Sequence, residues 1–385
     1  MNTIELFAGA GGLALGTANA GFHHNAVLEW DHAACETIRE NQRRGLSPVS
    51  RWPLYETDVR QFDFRGLDGV DLLAGGPPCQ PFSIGGKHRG PGDKRNLFPE
   101  VVRAVRETRP KAILIENVRG LLRPVFAKFF EYVILQLSFP EVQQRPDEEW
   151  LLHLSRLERH HTQGSEKGLR YNIVFRSLNA ADYGAPQKRY RVFIVGFRAD
   201  LHKPWAFPPP THSHDALLYS QFVSGEYWDR HKLSTRQRPI PSDRLLPRID
   251  DLKSRLFPPS EEPWMTVRDA LLGLPEPNVL PSKTVLNHVL TPGARAYAGH
   301  TGSPPDEPAK ALKAGDHGVP GGENMLAFPS GEVRYFTVRE SARLQTFPDN
   351  YLFCGSWSEA MRQLGNAVPV RLAEAVAKSI LTRLA

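Results

Sequence analysis

The sequence predicts an α/β fold, in which a mainly parallel sheet is covered by helices on both faces and a smaller, loop-rich domain is added. Strand-like and helix-like segments alternate over about the first 200 residues, which is the pattern of a parallel sheet. Glycine-rich turns follow two of the strand-like runs, at the strand ends where such sheets bind ligands. After residue 197 the periodicity is poor, and Pro, His, Ser, Arg and Gly are frequent.

The expected elements follow from local patterns. The strand candidates are residues 3–7, 26–30, 70–74, 112–115, 171–178 and 191–197. A helix of small residues is expected at 13–20, and an amphipathic final helix at 370–384, preceded by Pro369. Thr337 and Glu340 have the spacing of a capping box before another helical stretch. Residues 121–170 form a polar, partly helical insertion.

Composition limits the classes of protein that remain. Apolar residues make up 41% of the 385 residues and charged residues 23%, which is ordinary for a soluble globular protein. No apolar run reaches about 18 residues, so no membrane span is expected. The N-terminus, MNTIELFAGAGG, has no basic n-region and enters a strand-like run at once, so no signal peptide is expected. The cysteines, Cys35, Cys79 and Cys354, are far apart, which favours the cytoplasm over a disulfide framework or a zinc cluster. A net charge of +6 is a weak indication of a polyanionic partner.

The first candidate site is the glycine-rich turn in ELFAGAGG, residues 5–12. Its spacing is not the G-x-G-x-x-G phosphate fingerprint, but Glu29 follows Gly9 by 20 residues and ends the second strand candidate. An acid there can accept hydrogen bonds from both ribose hydroxyls of a nucleoside cofactor. Trp30 would stack on an adenine ring, and Asp58 would reach its amino group. The alternative is that Glu29 is a solvated strand end.

The second candidate site centres on Cys79, within the rigid loop GGPPCQPFS that follows the strand VDLLA. A thiol with an ordinary pKa of about 8.5 needs activation to act as a nucleophile. Glu116 ends the next strand and would project toward the same edge of the sheet, which suggests a nucleophile with a proton donor. The alternatives are an inert thiol and a helix-capping role for Glu116.

A basic stretch, QKRYR, precedes the strand VFIVG. Because residues two apart on a strand point to one face, Gln187, Arg189 and Arg191 are expected on one side, and Lys188 and Tyr190 on the other. Paired arginines suit a phosphate or a polarised carbonyl. The alternative is a solvated basic edge strand.

These segments, taken in order, resemble the DNA methyltransferases that act on carbon 5 of cytosine. The resemblance is carried by ELFAGAGGLALG, GGPPCQPFS, ENVRG, QKRYRVFIVG, RESARLQTFPD and QLGNAVP, which span the chain apart from residues 121–170 and 201–335. It implies a Rossmann-like, S-adenosylmethionine-dependent methyltransferase sheet with a target-recognition domain. The expected domains are residues 1–200 plus 351–385 for catalysis and cofactor binding, and 201–350 for target recognition and a hinge.

The resemblance also implies a mechanism that needs no metal. A cytosine flips out of the duplex, and the Cys79 thiolate attacks its carbon 6. Glu116 donates to ring nitrogen 3, Arg191 with Arg189 binds the base carbonyl or its phosphate, and Gln187 helps to place the loop.

S-adenosyl-L-methionine is the cofactor that the resemblance implies. Leu97 and Asn366 occupy family positions that line its pocket. The expected cofactor-binding residues are Phe7, Ala8, Gly9, Gly11, Gly12, Leu13, Glu29, Trp30, Asp58, Val59, Gly76, Pro78, Leu97, Asn366 and Ala367.

The expected partner is double-stranded DNA, modified by a cytoplasmic monomer that protects host DNA from a cognate restriction endonuclease, without a stable complex between the two. One alternative is a tRNA cytosine-5 methyltransferase, although the long segment 201–335 favours DNA. A second is a catalytically silent DNA-binding module, against which Cys79, Glu116 and the basic stretch argue. A nicotinamide dehydrogenase fails because the glycine spacing is wrong.

Overall fold

The computed structural model describes residues 1–78, 96–164, 168–279, 284–314 and 322–385. Cys79 therefore lies outside the described residues, together with most of its predicted loop. The strands are β1 (Asn2–Leu6), β2 (His23–Glu29), β3 (Leu54–Glu56), β4 (Leu72–Gly75), β5 (Ala112–Val118), β6 (Tyr171–Asn179), β7 (Gln187–Lys188), β8 (Tyr190–Arg198), β9 (His212–Ser213), β10 (Glu262–Pro263), β11 (Ala309–Lys310), β12 (Met325–Ala327) and β13 (Val333–Tyr335).

The helices surround this framework and continue into the region after residue 200. They are α1 (Gly12–Ala20), α2 (His32–Arg43), α3 (Phe98–Thr108), α4 (Ala127–Ser138), α5 (Trp150–Thr162), α6 (His214–Phe222), α7 (Glu226–Arg230), α8 (Leu246–Ser254), α9 (Val267–Leu271), α10 (Val338–Leu344), α11 (Trp357–Asn366) and α12 (Val370–Leu384). Within the described ranges, none of them has the length and apolar character needed to cross a bilayer.

The main sheet has seven strands in the order β3-β2-β1-β4-β5-β8-β6. In the sheet, the five neighbouring strands β3, β2, β1, β4 and β5 pair in parallel, whereas β8 runs antiparallel to both of its neighbours, β5 and β6. The predicted mainly parallel sheet is therefore confirmed. The strand order reverses between β1 and β4, which is the position where open α/β sheets bind ligands.

Both faces of the sheet are buried, as continuous apolar strands predict. One face presents Ile113 and Ile115 to a core that includes residues of α3 and α4. The other face presents Leu114 to a core that includes Leu372 and Val376 of α12. The insertion 121–170 is thus partly helical, as predicted, and its helix α4 covers the sheet.

Helix α12 is the predicted final helix, and it packs closely on α1. A Cβ atom at Gly16 would lie 2.4 Å from Cβ of Ala373, so only glycine permits this approach. The contact brings the C-terminal helix against the first glycine-rich turn. The end of the sequence therefore belongs to the same structural unit as its start.

The region 201–335 contains more regular structure than predicted. Helices α6 to α9 lie within it, and α6 and α7 pack around a small core of Leu217, Tyr227 and Trp228. Ala309 and Ala342, from the expected target-recognition domain, lie in one hydrophobic cluster with Leu15 of the expected catalytic domain. Short polar helices gave little periodic signal, which explains the shortfall.

The capping box at the start of α10 is confirmed. Thr337 Oγ1 accepts a hydrogen bond from Glu340 N–H at 3.1 Å, and the Glu340 carboxylate accepts one from Thr337 N–H at 2.8 Å. Both residues are buried, so the reciprocal bonds satisfy donors that water cannot reach.

Candidate active site

A cavity of about 900 Å³ opens at the carboxyl edge of the sheet. Residues that follow β1, β2, β3, β4 and β5 line it, together with the first turn of α1 and the end of α11. The predicted cofactor-binding residues in its wall are Phe7, Ala8, Gly9, Gly12, Leu13, Glu29, Trp30, Asp58, Val59, Gly76, Pro78, Leu97, Asn366 and Ala367. The volume is that of a typical small-molecule or cofactor pocket.

The first glycine-rich turn forms the floor of the cavity. Strand β1 ends at Leu6, one residue earlier than predicted, and Phe7 takes a left-handed conformation with φ 57°. Gly9 also has a positive φ, 54°, and the space where its Cβ would lie is empty. Gly9 therefore leaves the backbone open to a ligand, as the sequence predicted.

Gly11 and Gly12 are needed for a different reason. A Cβ at Gly11 would lie 3.0 Å from the Trp52 ring, and one at Gly12 would lie 2.5 Å from the carbonyl oxygen of Val368. These glycines allow protein segments to approach each other. Gly11 is not among the residues that line the cavity.

Glu29 is buried at the end of β2 and organises the turn. Its Oε2 accepts a hydrogen bond from Gly9 N–H at 2.7 Å, and its Oε1 accepts bonds from the N–H groups of Trp30 and Asp31 at 2.9 and 2.8 Å. Burial raises the pKa of Glu29, and these backbone donors oppose the shift. Glu29 is thus not a solvated strand end, and its carboxylate retains acceptor capacity toward the cavity.

Trp30 and Asp58 lie on the cavity wall beyond Glu29. The Trp30 ring is 69% exposed, which leaves a face available for stacking. Asp58 accepts hydrogen bonds from the backbone N–H and the Nε of Arg60 at 3.0 and 2.9 Å, and these contacts lower its pKa. Arg60, which the sequence did not single out, therefore accompanies the acid at this wall.

A long-range ion pair supports the same wall. Arg362 on α11 donates from Nη2 to both carboxylate oxygens of Asp31, each at 2.9 Å. Asp31 also caps α2, by accepting a hydrogen bond from Ala34 N–H. Neither residue was predicted, since the pair joins segments 331 positions apart and no local pattern marks it.

Glu116 and Arg191 form a buried pair between β5 and β8. Arg191 lies opposite Val118 in the antiparallel register, which makes it a diagonal neighbour of Glu116. The Arg191 Nε atom lies 2.6 Å from Glu116 Oε1. Glu116 lies in a strand, so it is not a helix cap, and β8 is an internal strand rather than a solvated edge.

Burial governs the protonation of Glu116. Removal from water raises the pKa of its carboxyl, and the positive charges of Arg191 and Arg189 act against that shift. A buried carboxyl with a raised pKa can carry a proton and deliver it to a ligand. The pair therefore has the properties of a proton donor held in place by a guanidinium.

The segment that leads to Cys79 passes directly over this carboxyl. A Cβ atom at Gly76 would lie 3.0 Å from Glu116 Oε2, so a side chain there would crowd the acid. Asn117 donates from Nδ2 to the carbonyl oxygen of Pro77 at 3.1 Å. The hydrogen bond from Asn117 thus fastens the segment Gly76–Pro78, just before Cys79, to the strand that carries Glu116.

The basic stretch divides into two environments. Arg191 lines the cavity, but Arg189 is 1% exposed and donates to the carbonyl oxygens of Leu312 and Gly365. Gln187 accepts a hydrogen bond from Leu312 N–H at 3.0 Å and donates to Leu344 O at 3.3 Å. Of the three residues expected on one face, only Arg191 lines the cavity, and the side chains of Gln187 and Arg189 bond backbone groups behind it.

Two further cysteines, Cys35 and Cys354, lie outside the cavity wall. Cys35 is buried, and burial raises the pKa of its thiol to about 12. Cys354 is partly buried, and burial raises its pKa as well. Neither thiol is activated.

A Rossmann-like sheet with a glycine turn after the first strand, a buried acid that ends the second strand and an acid–arginine pair between the fifth and eighth strands defines a methyltransferase-type site. The sequence profile of the family described as C-5 cytosine-specific DNA methylase matches residues 1–139 and 155–382. The chain belongs to this family and is a DNA cytosine-5 methyltransferase.

Individual relatives agree with this assignment. The chain is 31% identical to the type II methyltransferase M.NgoMIV of Neisseria gonorrhoeae, over 99% of this chain and 97% of that protein. It is 34% identical to the type II methyltransferase M.Eco47II of Escherichia coli, over 98% of this chain and 78% of that protein. Among solved structures, a candidate DNA modification methyltransferase encoded within an E. coli prophage matches with a TM-score of 0.61 and 21% identity, over 100% of this chain and 99% of that one. The last similarity supports the fold.

Proposed function

We propose that the enzyme methylates a cytosine flipped out of a specific duplex sequence, through a covalent adduct with Cys79. The observation that carries the proposal is the buried Glu116–Arg191 pair, which lies against Gly76, three residues before Cys79. An acid and a guanidinium at this position suit the ring nitrogen and the carbonyl of a flipped cytosine.

Each residue has a defined part in the reaction. The Cys79 thiolate forms a bond to carbon 6 of the base, and Glu116 protonates ring nitrogen 3, so the added electron pair reaches carbon 5. Arg191 holds the carboxyl and the base carbonyl. Once carbon 5 carries the methyl group, ring nitrogen 3 returns its proton to Glu116. A base then removes the hydrogen at carbon 5, and its electron pair reforms the double bond between carbons 5 and 6 as the carbon–sulfur bond breaks to release Cys79 as thiolate.

The cavity fits S-adenosyl-L-methionine, which supplies an electrophilic methyl group when bound. Glu29 would accept hydrogen bonds from the ribose hydroxyls with the acceptor capacity that its three backbone donors leave. The exposed face of Trp30 would stack on the adenine, and Asp58 would accept a hydrogen bond from its amino group. Gly9 would allow the backbone to contact the methionine part.

The biological context follows from the names of the relatives, which are type II methyltransferases. The enzyme would act in the cytoplasm as a monomer and protect host DNA from a cognate restriction endonuclease, with no stable complex between the two. Residues 201–335 would read the target sequence in the major groove, where base edges can be distinguished.

The proposal is tested first by methyl transfer from labelled S-adenosylmethionine to unmethylated genomic DNA, followed by nucleoside analysis. Label in 5-methylcytosine is expected, and bisulfite sequencing of the same DNA then gives the target. Label in tRNA but not in DNA would replace the proposal with the RNA reaction. Absence of label in both would favour a silent binding module.

The covalent step is tested with Cys79→Ala. We expect methyl transfer to be abolished and cofactor binding to persist, because the variant lacks the nucleophile and keeps the cavity wall. Cys354→Ala is the matched control and should retain activity, since this thiol lies outside the cavity wall. Transfer by Cys79→Ala near the wild-type rate would refute the nucleophile assignment.

The recognition role is tested by exchanging residues 201–335 for those of a relative with a different target. The methylated sequence should change to that of the donor while the reaction stays the same. An unchanged target would show that recognition lies elsewhere in the chain.

A further inference from the structure

A basic surface follows Glu116 directly along the chain. Residues 117–130 carry Arg119, Arg123 and Lys128 and contain no Asp or Glu. In the part of the chain that the structure describes, none of the three side chains forms an ion pair or a hydrogen bond. Other described arginines near the cavity are paired, as Arg362 is with Asp31 and Arg191 with Glu116, whereas this segment retains an unneutralised charge.

Arg119 is held in a fixed position by an aromatic ring. Its guanidinium lies over the Tyr190 ring, 5.1 Å from the centroid. Arg119 is exposed and Tyr190 is 45% exposed, so the stacked pair is accessible to solvent. A stacked arginine retains its N–H donors for a second partner, and the stack lowers the entropy lost when that partner binds.

The stack lies beside the reaction centre. Arg119 comes one residue after Val118, which lines the cavity, and Tyr190 precedes Arg191, which contacts Glu116. Leu121 and Phe126 are buried in the core beneath the sheet, which anchors the segment. Arg119 is therefore presented at the rim of the cavity on a rigid support, and Arg123 and Lys128 continue the basic segment beyond it.

We propose that Arg119, Arg123 and Lys128 bind the phosphate backbone of the duplex next to the target cytosine, with Arg119 positioned by Tyr190. The inference rests on the proposed function, because it requires duplex DNA over the same cavity. A cation at this rim and a basic segment beside it complement the charge of a phosphate backbone, and phosphate contacts fix the register of a protein on DNA without reading its sequence.

The test measures equilibrium binding of the full-length protein to a target duplex and to a non-target duplex at several salt concentrations. Arg119→Ala should weaken both by about the same factor, near tenfold at 0.1 M salt, and should reduce the salt slope by about one unit. In methyl-transfer assays KM for DNA should rise while kcat and cofactor affinity change little. Tyr190→Leu should also lower the affinity for duplex DNA and raise KM for DNA, by a smaller factor than Arg119→Ala.

A matched control separates this effect from loss of charge in general. Arg51 is exposed just before β3, at the amino edge of the sheet, so Arg51→Ala should leave the salt slope at its wild-type value. A wild-type slope in both Arg119→Ala and Arg123→Ala would overturn the inference even when the wild type methylates DNA. A wild type that binds duplex but transfers no methyl group would refute the proposed function alone. A wild type that binds no duplex would overturn both.

Discussion

The sheet and the region 201–335 are stabilised in different ways. The sheet is held by aliphatic side chains that are fully buried on both faces, such as Ile113 and Leu114. In the region 201–335, α6 and α7 have a small aromatic core, and a polar network supports them. Apolar periodicity can be read from a sequence, whereas a network between distant polar side chains cannot.

The polar network centres on Asp306. Its carboxylate accepts a hydrogen bond from Tyr227 Oη at 2.9 Å and pairs with Arg268 Nε at 2.6 Å. Its backbone carbonyl accepts a hydrogen bond from Gln221 at 2.8 Å. Thus one loop residue joins α6, α7 and α9, which explains how short helices form an ordered region with little apolar core.

If the sheet carries out catalysis and the region 201–335 reads the target, a variant in the sheet should lose activity on every target. Glu116→Gln is the variant with the largest expected effect. An amide cannot supply the proton that ring nitrogen 3 takes up, so methyl transfer should fall by about 10² to 10⁴ on every target sequence. Binding of duplex DNA should persist. Glu131→Gln, at an exposed position on α4, is the control and should behave as wild type. A rate for Glu116→Gln within a few fold of wild type would remove the acid from the mechanism.

A smaller loss is expected for Glu29→Ala, which should weaken cofactor binding by about tenfold to a hundredfold, because charge-assisted hydrogen bonds to the ribose disappear. Binding of target duplex should change much less. Calorimetric titration with S-adenosylmethionine and a DNA-binding assay measure the two effects, and a thermal unfolding curve controls for loss of the bond to Gly9. Equal losses for both ligands would contradict the ribose role.

In the region 201–335, Asp306→Ala should destabilise the fold by about 1–3 kcal/mol, since it removes the partly buried carboxylate that Tyr227 and Arg268 share. Denaturant unfolding measures the change, and cofactor affinity should stay at the wild-type value. Asp250→Ala is the control, because its exposed ion pair with Lys253 contributes little. Equal stability of the two variants would show that the network does not support this region.

The apolar sheet half contains a polar exception around His24. This ring is buried, with Nε2 3.2 Å from Thr17 Oγ1 and 3.9 Å from Glu5 Oε2. Burial lowers the pKa of His24 to about 3, with a further contribution from His23, so His24 is neutral in the folded protein. Burial raises the pKa of Glu5 well above its usual value.

The smallest expected effect is therefore a change in the pH dependence of stability. Between pH 6.5 and about 3, only the unfolded chain binds a proton at His24. The contribution of the neutral, buried His24 to the free energy of unfolding is therefore fully present above pH 6.5 and is lost as the pH falls toward 3. The stability difference between wild type and His24→Gln should change by about 1 kcal/mol between pH 6.5 and about 5.5. The raised pKa of Glu5 makes stability rise as the pH falls, which opposes the effect of His24. The measured quantity is therefore the difference in stability between wild type and His24→Gln, in which the contribution of Glu5 cancels. A difference independent of pH would contradict the burial argument, and His23→Gln serves as the exposed control.

Much of the candidate site could be predicted because its residues end strands. Glu29 and Glu116 each lie at the carboxyl end of a parallel strand, and such ends meet at one edge of a sheet. Gly9 and Gly76 are fixed by the short turns that follow β1 and β4. Local sequence therefore determined the class of fold, the edge that binds ligands and the acids that lie there.

The tertiary structure decided which of the remaining side chains face the cavity. Arg189 and Arg191 are two residues apart, yet Arg189 is occupied by the carbonyls of Leu312 and Gly365, whereas Arg191 contacts Glu116. These partners are more than 100 positions away from Arg189, and no local pattern marks them. Strand ends follow from short-range backbone and burial preferences, but the partner of a buried polar group depends on which distant segment packs against it.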